Sequence, residues 1–371
     1  MTTPVLAPDG VRCMVMRGGT SKGAYFLAGD LPSDPAVRDD LLLRIMGSPD
    51  PRQIDGIGGA HPLTSKVAVI SRSADPETDI DYLFLQVHVD EPLVGDQQTC
   101  GNLLAGVAPF AIERGLVGVA GETTEVRIRI LNGSGSTATA RVQTPHGRVS
   151  YSGDVMISGA PFSAASVPLE FPAASAPLLP TGAVRNRFAG IEVTCVDAGM
   201  PVVLLRAQDL GITGYESPKD LEANAALTGK VEEIRLLAGP AMGLGDVRDA
   251  TVPKMSLVAP PRAGGAICTR TFIPHRVHTS IGVVGAISVA AGALLPGSVA
   301  AQDLDSDSAD PESSALRIEH PTGFFDVEAQ LTGTGVASSL RRSAVIRTAR
   351  KLFDGLVWPR DPEPRDPKGV F

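Results

Sequence analysis

Cysteine is scarce in this chain: four in 371 residues, at positions 13, 100, 195 and 268, with no CxxC pair. That spacing excludes a zinc knuckle and a vicinal redox pair, and it favours free thiols in a cytoplasmic protein over a disulfide framework. Histidine is nearly as scarce, six in all. His275 and His278 form an HxxH with no third ligand near it, so no metal is expected. Positive charge runs short: 33 lysines and arginines against 41 acidic residues give a net charge of -8. Such a balance argues against a nucleic-acid partner or a membrane-binding basic face, and it leaves room for an anionic substrate held by a few local cations. No apolar run reaches the roughly 18 residues that span a bilayer. The most apolar stretch, 281–297, is rich in Gly and Ala and ends in Pro-Gly, which reads as a buried helix. The opening MTTPVLAPDGVRC has no basic stretch followed by an apolar one, so no export signal is expected. A phosphate loop is missing too. In MRGGTSKGAYF (16–26) Ser and Lys precede the glycine that GxxxxGK[ST] requires them to follow.

What is present is strand. VRCMVMR, KVAVISRS, DYLFLQVHVD, EVRIRIL, RVSYSGDVMI, EVTCVDAG, PVVLL and SAVIRTAR are β-branched or alternating runs bounded by turn residues. Helical periodicity is confined to PAVRDDLLLRIMG, NLLAGVAPFAIERG, PKDLEANAALTGKVEEIRLLAG and 281–295. Few strand–helix–strand alternations appear, which predicts an α+β fold with mostly antiparallel or mixed sheets around buried helices. Residues 160–182, with five prolines and almost no charge, read as a connector. The acidic stretch 301–313 lacks EF-hand spacing and reads as a surface loop.

The chain also repeats itself. TCGNLLAGVAPFAIERG from Thr99 lines up with TSIGVVGAISVAAGALLPG from Thr279. SKVAVI (65–70) matches PKMSLV (253–258), and RGGTSKGAYFLAGDL (17–31) matches VDAGMPVVLLRAQDL (196–210). Three segments in one order at nearly one offset predict two related domains, 1–182 and 183–351, with the segment from about 352 to 371 expected to pack back on the first.

Four places could carry chemistry. Cys100 stands at the mouth of a helix, where unpaired amides and the dipole stabilise a thiolate and hold a carboxylate. Gly101 and Asn102 beside it would let a ligand approach the backbone, but a small residue filling a turn fits the position equally well. Lys66 interrupts an apolar strand. It either snorkels to an edge or is desolvated into a usable base. Arg17, Thr20, Ser21 and Lys22 sit in a glycine-rich turn that is either structural or a carboxylate cradle. Arg276, His278, Thr279 and Ser280 stand before the second apolar helix and suit an anion, whereas the basic run 341–351 alternates like a strand and reads as a solvated face.

CMVMRGGTSKGAYFLAGDLP, MGSPDPRQIDGIGGAHPLTSKVAV, QQTCGNLLAGVAPFAIERGLV, DAGMPVV and RTARKLFDG resemble the PrpF-like isomerases, most closely their 4-oxalomesaconate tautomerase and isomerase branch, over about residues 11 to 358. The resemblance implies a diaminopimelate epimerase-like fold: two similar domains, each a curved sheet around a central helix, with the active site between them. It implies no cofactor and suggests a homodimer. It pairs Lys66 as base with Cys100 as acid, because the repeat puts Ser280 where a two-thiol racemase has its second cysteine. It adds Ser65, Met200 and Pro201 to the substrate-binding set, beside Arg17, Thr20, Ser21, Lys22, Gly101, Asn102, Arg276, His278, Thr279 and Ser280. The implied reaction is a 1,3-allylic proton shift in an unsaturated tricarboxylate, 4-oxalomesaconate, in bacterial catabolism of aromatic acids such as gallate, protocatechuate and lignin-derived compounds. Isomerisation of methylaconitate or aconitate, and non-catalytic binding of a polycarboxylate, are the competing readings.

Overall fold

Alternating runs become strands where one face can be buried. The computed structural model describes residues 10–96, 99–133, 136–172, 177–248, 250–303 and 315–362. Contacts divide the chain into two units: Met1–Met156 with Phe162–Pro168 and Arg347–Phe371, and Ile157–Pro161 with Leu169–Ile346. The change of unit at residues 168–169 compares with the expected boundary after 182, and the return at Arg347 with the expected 352.

In the first unit, β1 (Val11–Gly18) and β2 (Ser21–Leu27) form a hairpin, followed by α1 (Pro35–Met46). The next strand, β3 (Lys66–Arg72), runs parallel to β2, and β4 (Ile80–Val87) runs antiparallel to β3. After β5 (Val94–Gly95) and α2 (Gly101–Glu113) come β6 (Thr123–Ile130), parallel to β4, and β7 (Ser136–Gln143). The strand β8 (Ser166–Pro172) straddles the division between the units.

The second unit repeats this succession. A hairpin of β10 (Ile191–Asp197) and β11 (Pro201–Arg206), flanked by β9 (Asn186–Phe188), leads into α3 (Pro218–Ala223) and α4 (Ala225–Ala241). Then β12 (Lys254–Ala259) pairs parallel with β11, and β13 (Ile267–Phe272) antiparallel with β12. After α5 (Val283–Leu294), β14 (Ala315–His320) runs parallel to β13 and β15 (Gly323–Thr332) turns back on it. The last strand, β16 (Ser339–Val357), pairs with β15 up to Val345 and with β1 from Ala349 onward. Both units therefore mix sheet and helix as an α+β fold in the same order, as the repeat predicts.

Residue parity sorts the faces. Val67 and Val69 of β3 and Leu85 and Val87 of β4 pack with Leu41, Leu42, Ile45 and Met46 of α1. The alternate positions, Lys66 and Ala68 on β3 and Tyr82, Phe84 and Gln86 on β4, lie on the opposite face, where Tyr82 reaches the start of α2. The helix itself is buried from Leu103 through Ala111. Apolar on all sides, it needs cover on all sides, and β1, β2, β3, β4 and β7 supply it. Its centre is fitted closely. A Cβ on Gly106 would fall 2.8 Å from Cζ of Tyr25, a fully buried ring whose hydroxyl donates to the Leu103 carbonyl at 2.7 Å.

Four sequence expectations need correction. Residues 148–157 form no strand, only an isolated bridge at Val155, because Gly153 sits against the Ala164–Ala165 backbone and the hydroxyl-rich run turns instead. The connector 160–182 contains β8, since Val167 and Leu169 are buried at strand spacing and outweigh the flanking prolines; residues 173–176 lie outside the described part. The expected single helix at 218–239 is two, because Asn224 ends α3 and its side chain accepts from Leu227 N at 3.1 Å to cap α4. The second apolar helix starts at Val283 with Gly282 as its N-cap, so Thr279 and Ser280 precede the cap. Most of the 301–313 stretch lies outside the described residues. No helix among the described residues is long and apolar enough to cross a membrane.

Replacing Gly106 with Ala should lower stability by about 1–3 kcal/mol, because overpacking against Tyr25 outweighs the helix propensity gained. A urea titration with a lower midpoint and unchanged slope would show it.

Candidate functional site

Lys66 opens β3 and is 7% exposed. Its Nζ donates to Gln86 Oε1 at 2.8 Å and lies 4.9 Å from the centre of the Phe84 ring. It does not snorkel: two neighbours on β4 hold it on the α2 face. Gln86 is fixed in turn, its Nε2 donating to the carbonyls of Ser65 at 3.0 Å, Pro62 at 3.1 Å and Val87 at 3.3 Å.

Cys100 is the N-cap of α2 and makes no side-chain capping bond. Its carbonyl accepts from Tyr82 Oη at 3.3 Å and from Leu104 N at 3.1 Å. The thiol's neighbourhood is the end of the helix where amides are unpaired. Asn102 in the first turn reaches the β1–β2 turn, where its Oδ1 accepts from Thr20 N at 3.4 Å. Gly19, at φ +50°, has no room for a side chain, because a Cβ would collide with Asn102. The Ser21 and Thr99 hydroxyls are buried and find no hydrogen-bond partner among the described residues. Around this one helix start the structure brings together Thr20, Gly101, Asn102 and Cys100.

Two residues of the expected substrate set are committed elsewhere. Arg17 Nη1 donates to Gly19 O at 2.7 Å, Thr348 Oγ1 at 2.9 Å and Thr348 O at 3.2 Å, bracing the turn against β16. Burial, helped by Arg350, lowers its pKa. Ser65 is fully buried and its hydroxyl donates to Gln53 Oε1 at 2.6 Å. Gln53 also accepts from Ala60 N and donates to Ser48 Oγ, so it organises the loop that delivers Lys66. Lys22, by contrast, reaches toward that loop near Gly59.

In the second unit, Arg276 is exposed and ion-paired with Glu222 at 3.2 Å, not set at a helix start. Ser280 N donates to His278 Nδ1 at 2.9 Å, and Ser280 Oγ lies 3.2 Å from His320 Nε2. Thr322 N donates to His320 Nδ1 at 3.2 Å, and Thr322 Oγ1 to the Thr279 carbonyl at 2.9 Å. A neutral His320 therefore carries its proton on Nε2 and donates to Ser280, which is the wrong direction to activate a serine as a base. The Met200 carbonyl accepts from Ser288 Oγ at 2.7 Å, tying the β10–β11 turn to α5, and Pro201 begins β11.

The other three thiols are poor proton carriers: burial pushes Cys13 and Cys195 up to about 12 and raises Cys268. Among the described residues no group of three His, Cys, Asp or Glu is placed to hold a metal. Sequence reading passed over Gln86, Gln53 and Lys254. Gln86 carried the same signal as Lys66, a polar residue at an inward position of an apolar strand. Lys254 is the repeat partner of Lys66: Val202 pairs with Lys254 as Gly23 pairs with Lys66. Burial, reinforced by the Arg235 charge, lowers its pKa to about 8.

The family described as PrpF protein matches residues 10–360. A relative from Novosphingobium sp. (strain KA1), named (4E)-oxalomesaconate Delta-isomerase, is 54% identical over 94% of this chain and 98% of its own length. Another from Pseudomonas putida, named 4-oxalomesaconate tautomerase, is 54% identical over 94% of this chain and 95% of its own. The crystal structure of a methylitaconate-delta-isomerase superposes with a TM-score of 0.83 at 31% identity, covering 96% of this chain and 98% of that one.

Lys254 carries a pH signature. Between about 8 and the ordinary 10.5 the unfolded chain holds its proton while the folded chain does not, so stability rises with pH across that window. Lys254→Met removes this dependence. Its stability advantage over the parent, at most on the order of 3 kcal/mol at neutral pH, should shrink as pH rises from 8 to 10.5, as read by chemical denaturation at each pH.

Proposed function

The chain belongs to the PrpF family and is an isomerase, and from that premise we propose that it catalyses a 1,3-allylic proton shift in 4-oxalomesaconate. The observation that carries the mechanism is the inward Lys66, held by Gln86 and Phe84 on the face that meets α2, with Cys100 capping that helix.

The substrate's methylene lies between a ketone and a C=C bond, so its C–H is acid enough for an amine once the developing dienolate is stabilised. Neutral Lys66 takes that proton, and the C–H electron pair moves into the dienolate. Cys100 gives its S–H proton to the far carbon, and the double bond settles in its new place. An ammonium and a thiolate remain, and a proton passes from one to the other through solvent before the next turnover. Atoms and charge balance without a co-reactant. Oriented amides at the α2 start, with the Ser21 and Thr99 hydroxyls, suit a substrate carboxylate or the dienolate oxygen. Thr20, Lys22, Gly101 and Asn102 remain in the proposed binding set. Arg17 and Ser65 serve it indirectly, by bracing the turn and the Lys66 loop. The two oxalomesaconate-named relatives, at 54% identity, support this substrate over aconitate types, and catabolism of aromatic acids is the setting proposed with it.

Lys66→Met and Cys100→Ser should each keep the fold and slow turnover at least ~10²-fold, the low end of acid–base contributions. Ultraviolet absorbance of 4-oxalomesaconate on mixing reads the rate, with trans-aconitate as the competing substrate. Near-normal turnover in both variants sinks the mechanism, and faster turnover of aconitate sinks the substrate. In D₂O, deuterium should enter the product at the carbon that Cys100 protonates, because a thiol exchanges with solvent. Mass spectrometry of the product checks this.

A further inference from the structure

We propose that Gln86 is a positioning residue that aims Lys66 and sets how tightly it holds its proton. The inference rests on the reading of Lys66 as the base. Its first support is the direction of the amide. Gln86 Nε2 faces three carbonyls, those of Ser65, Pro62 and Val87. An amide turned the other way would put its oxygen against all three, so the carbonyl end has one direction open to it, toward Lys66 Nζ at 2.8 Å. One N–H of Lys66 is thereby pinned in either protonation state. The lone pair of the neutral amine is then confined to the remaining directions, a restriction that a flexible four-carbon side chain cannot impose on itself. The acceptor also favours the ammonium, and the face of Phe84 acts the same way.

The second support is the duplicated chain itself, which carries the comparison. Lys254 occupies the Lys66 position in the second unit: each opens a strand that lies parallel to the second strand of a hairpin and antiparallel to the next. Lys66 pairs with Gln86. The register that sets Met255 opposite Phe272 puts Ile273 beside Lys254. No hydrogen bond or ion pair reaches the Lys254 ammonium among the described residues, and burial lowers its pKa to about 8. The same lysine position thus occurs once with the amide and once without it.

No other side chain around Lys66 competes for the role. The titratable groups on the neighbouring elements are Lys22 and Tyr25 on β2, His61 before the loop's last turn, Asp81 and Tyr82 on β4, and Cys100 and Glu113 at the two ends of α2. Among the described residues none of them hydrogen-bonds Nζ. Tyr25 and Tyr82 are held neutral well above the usual phenol range by burial.

The test is Gln86→Met, which keeps the length and removes the acceptor. Gln86→Asn, one methylene shorter, is the second variant in case the first fails to fold. Glutamate is unsuitable, because its second oxygen would face the three carbonyls. Two readouts are taken across pH: kcat and KM for 4-oxalomesaconate, and acetylation of Lys66 by dilute acetic anhydride, quantified by mass spectrometry. Losing the acceptor disfavours the ammonium, so both the acid limb of kcat and the onset of Lys66 acetylation should move down by about one pH unit, a tenfold change in proton affinity. The kcat plateau should fall about tenfold or more while KM changes by less than about threefold, since aim is lost and binding is not. Either folded variant showing the parent's acetylation profile and the parent's acid limb overturns the proposal. The acetylation arm does not depend on turnover. If Lys66→Met keeps its activity the base assignment fails, and the coupling of Gln86 to Lys66 is still decided.

Discussion

A helix without a polar face must be enclosed, and most of this molecule's organisation follows from enclosing one helix in each unit. From Leu103 to Ala111 the first of these, α2, is buried residue after residue, and from Ala286 to Ala293 the second, α5, is too. Burial of the barrel of each helix leaves its first turn as the end where amides lack partners. Those amides cannot be closed off by apolar packing without loss, so polar groups gather there. In the first unit these are Asn102, Thr20 and the buried hydroxyls of Ser21 and Thr99. In the second the polar contact lies further along the helix: Ser288, in the second turn of α5, donates to the Met200 carbonyl and accepts from Ala198 N, so that the β10–β11 turn is held to α5.

Each unit also solves a second problem, the delivery of a lysine into an apolar strand after a long loop. The two solutions differ. In the first unit Gln53 holds the loop through Ala60, Ser65 and Ser48, all neutral bonds. In the second a fully buried Arg235 does it, donating to the carbonyls of Val247, Ala250 and Val252 while Glu232 balances the charge. A charged organiser beside Lys254 disfavours its ammonium. The sequence repeat marks the lysines as equivalent, and their surroundings make them chemically different.

Strands and helices were legible from the sequence where pattern and burial agree. The alternation in VRCMVMR and KVAVISRS, and the all-round apolarity of 281–295, give β1, β3 and α5 because nothing local opposes them. Legibility failed where a long-range contact decides. The Pro-rich run around β8 is a strand because Val167 and Leu169 find cover, which no local propensity reveals. The α5 start slid to Val283 because Gly282 supplies the cap geometry. Lys66 and Cys100 stood out in sequence as a charge in an apolar strand and a thiol before an apolar helix. Gln86 did not, although it breaks the alternation of DYLFLQVHVD at an inward position, because an amide there can be satisfied by its own backbone neighbours. Only the register, which sets Gln86 opposite Lys66, shows what its carbonyl is left to do.

The duplication also bears on what kind of reaction suits the chain. A symmetric racemase needs two equivalent proton carriers, and the repeat-related positions of the two copies do not match here. Where the first copy has Cys100 as the cap of its helix, the second has Ser280 two residues ahead of a glycine cap, with its hydroxyl 3.2 Å from His320 Nε2. Where the first copy pins its lysine with an amide, the second leaves one beside an isoleucine. An allylic proton shift makes a different demand: one base and one acid, of different kinds, acting on two carbons of a single conjugated system. The proposed pair, Lys66 and Cys100, is of that kind, and both come from the first copy. The asymmetry of the two copies therefore argues for a transposition of one proton along the substrate over an inversion at one carbon.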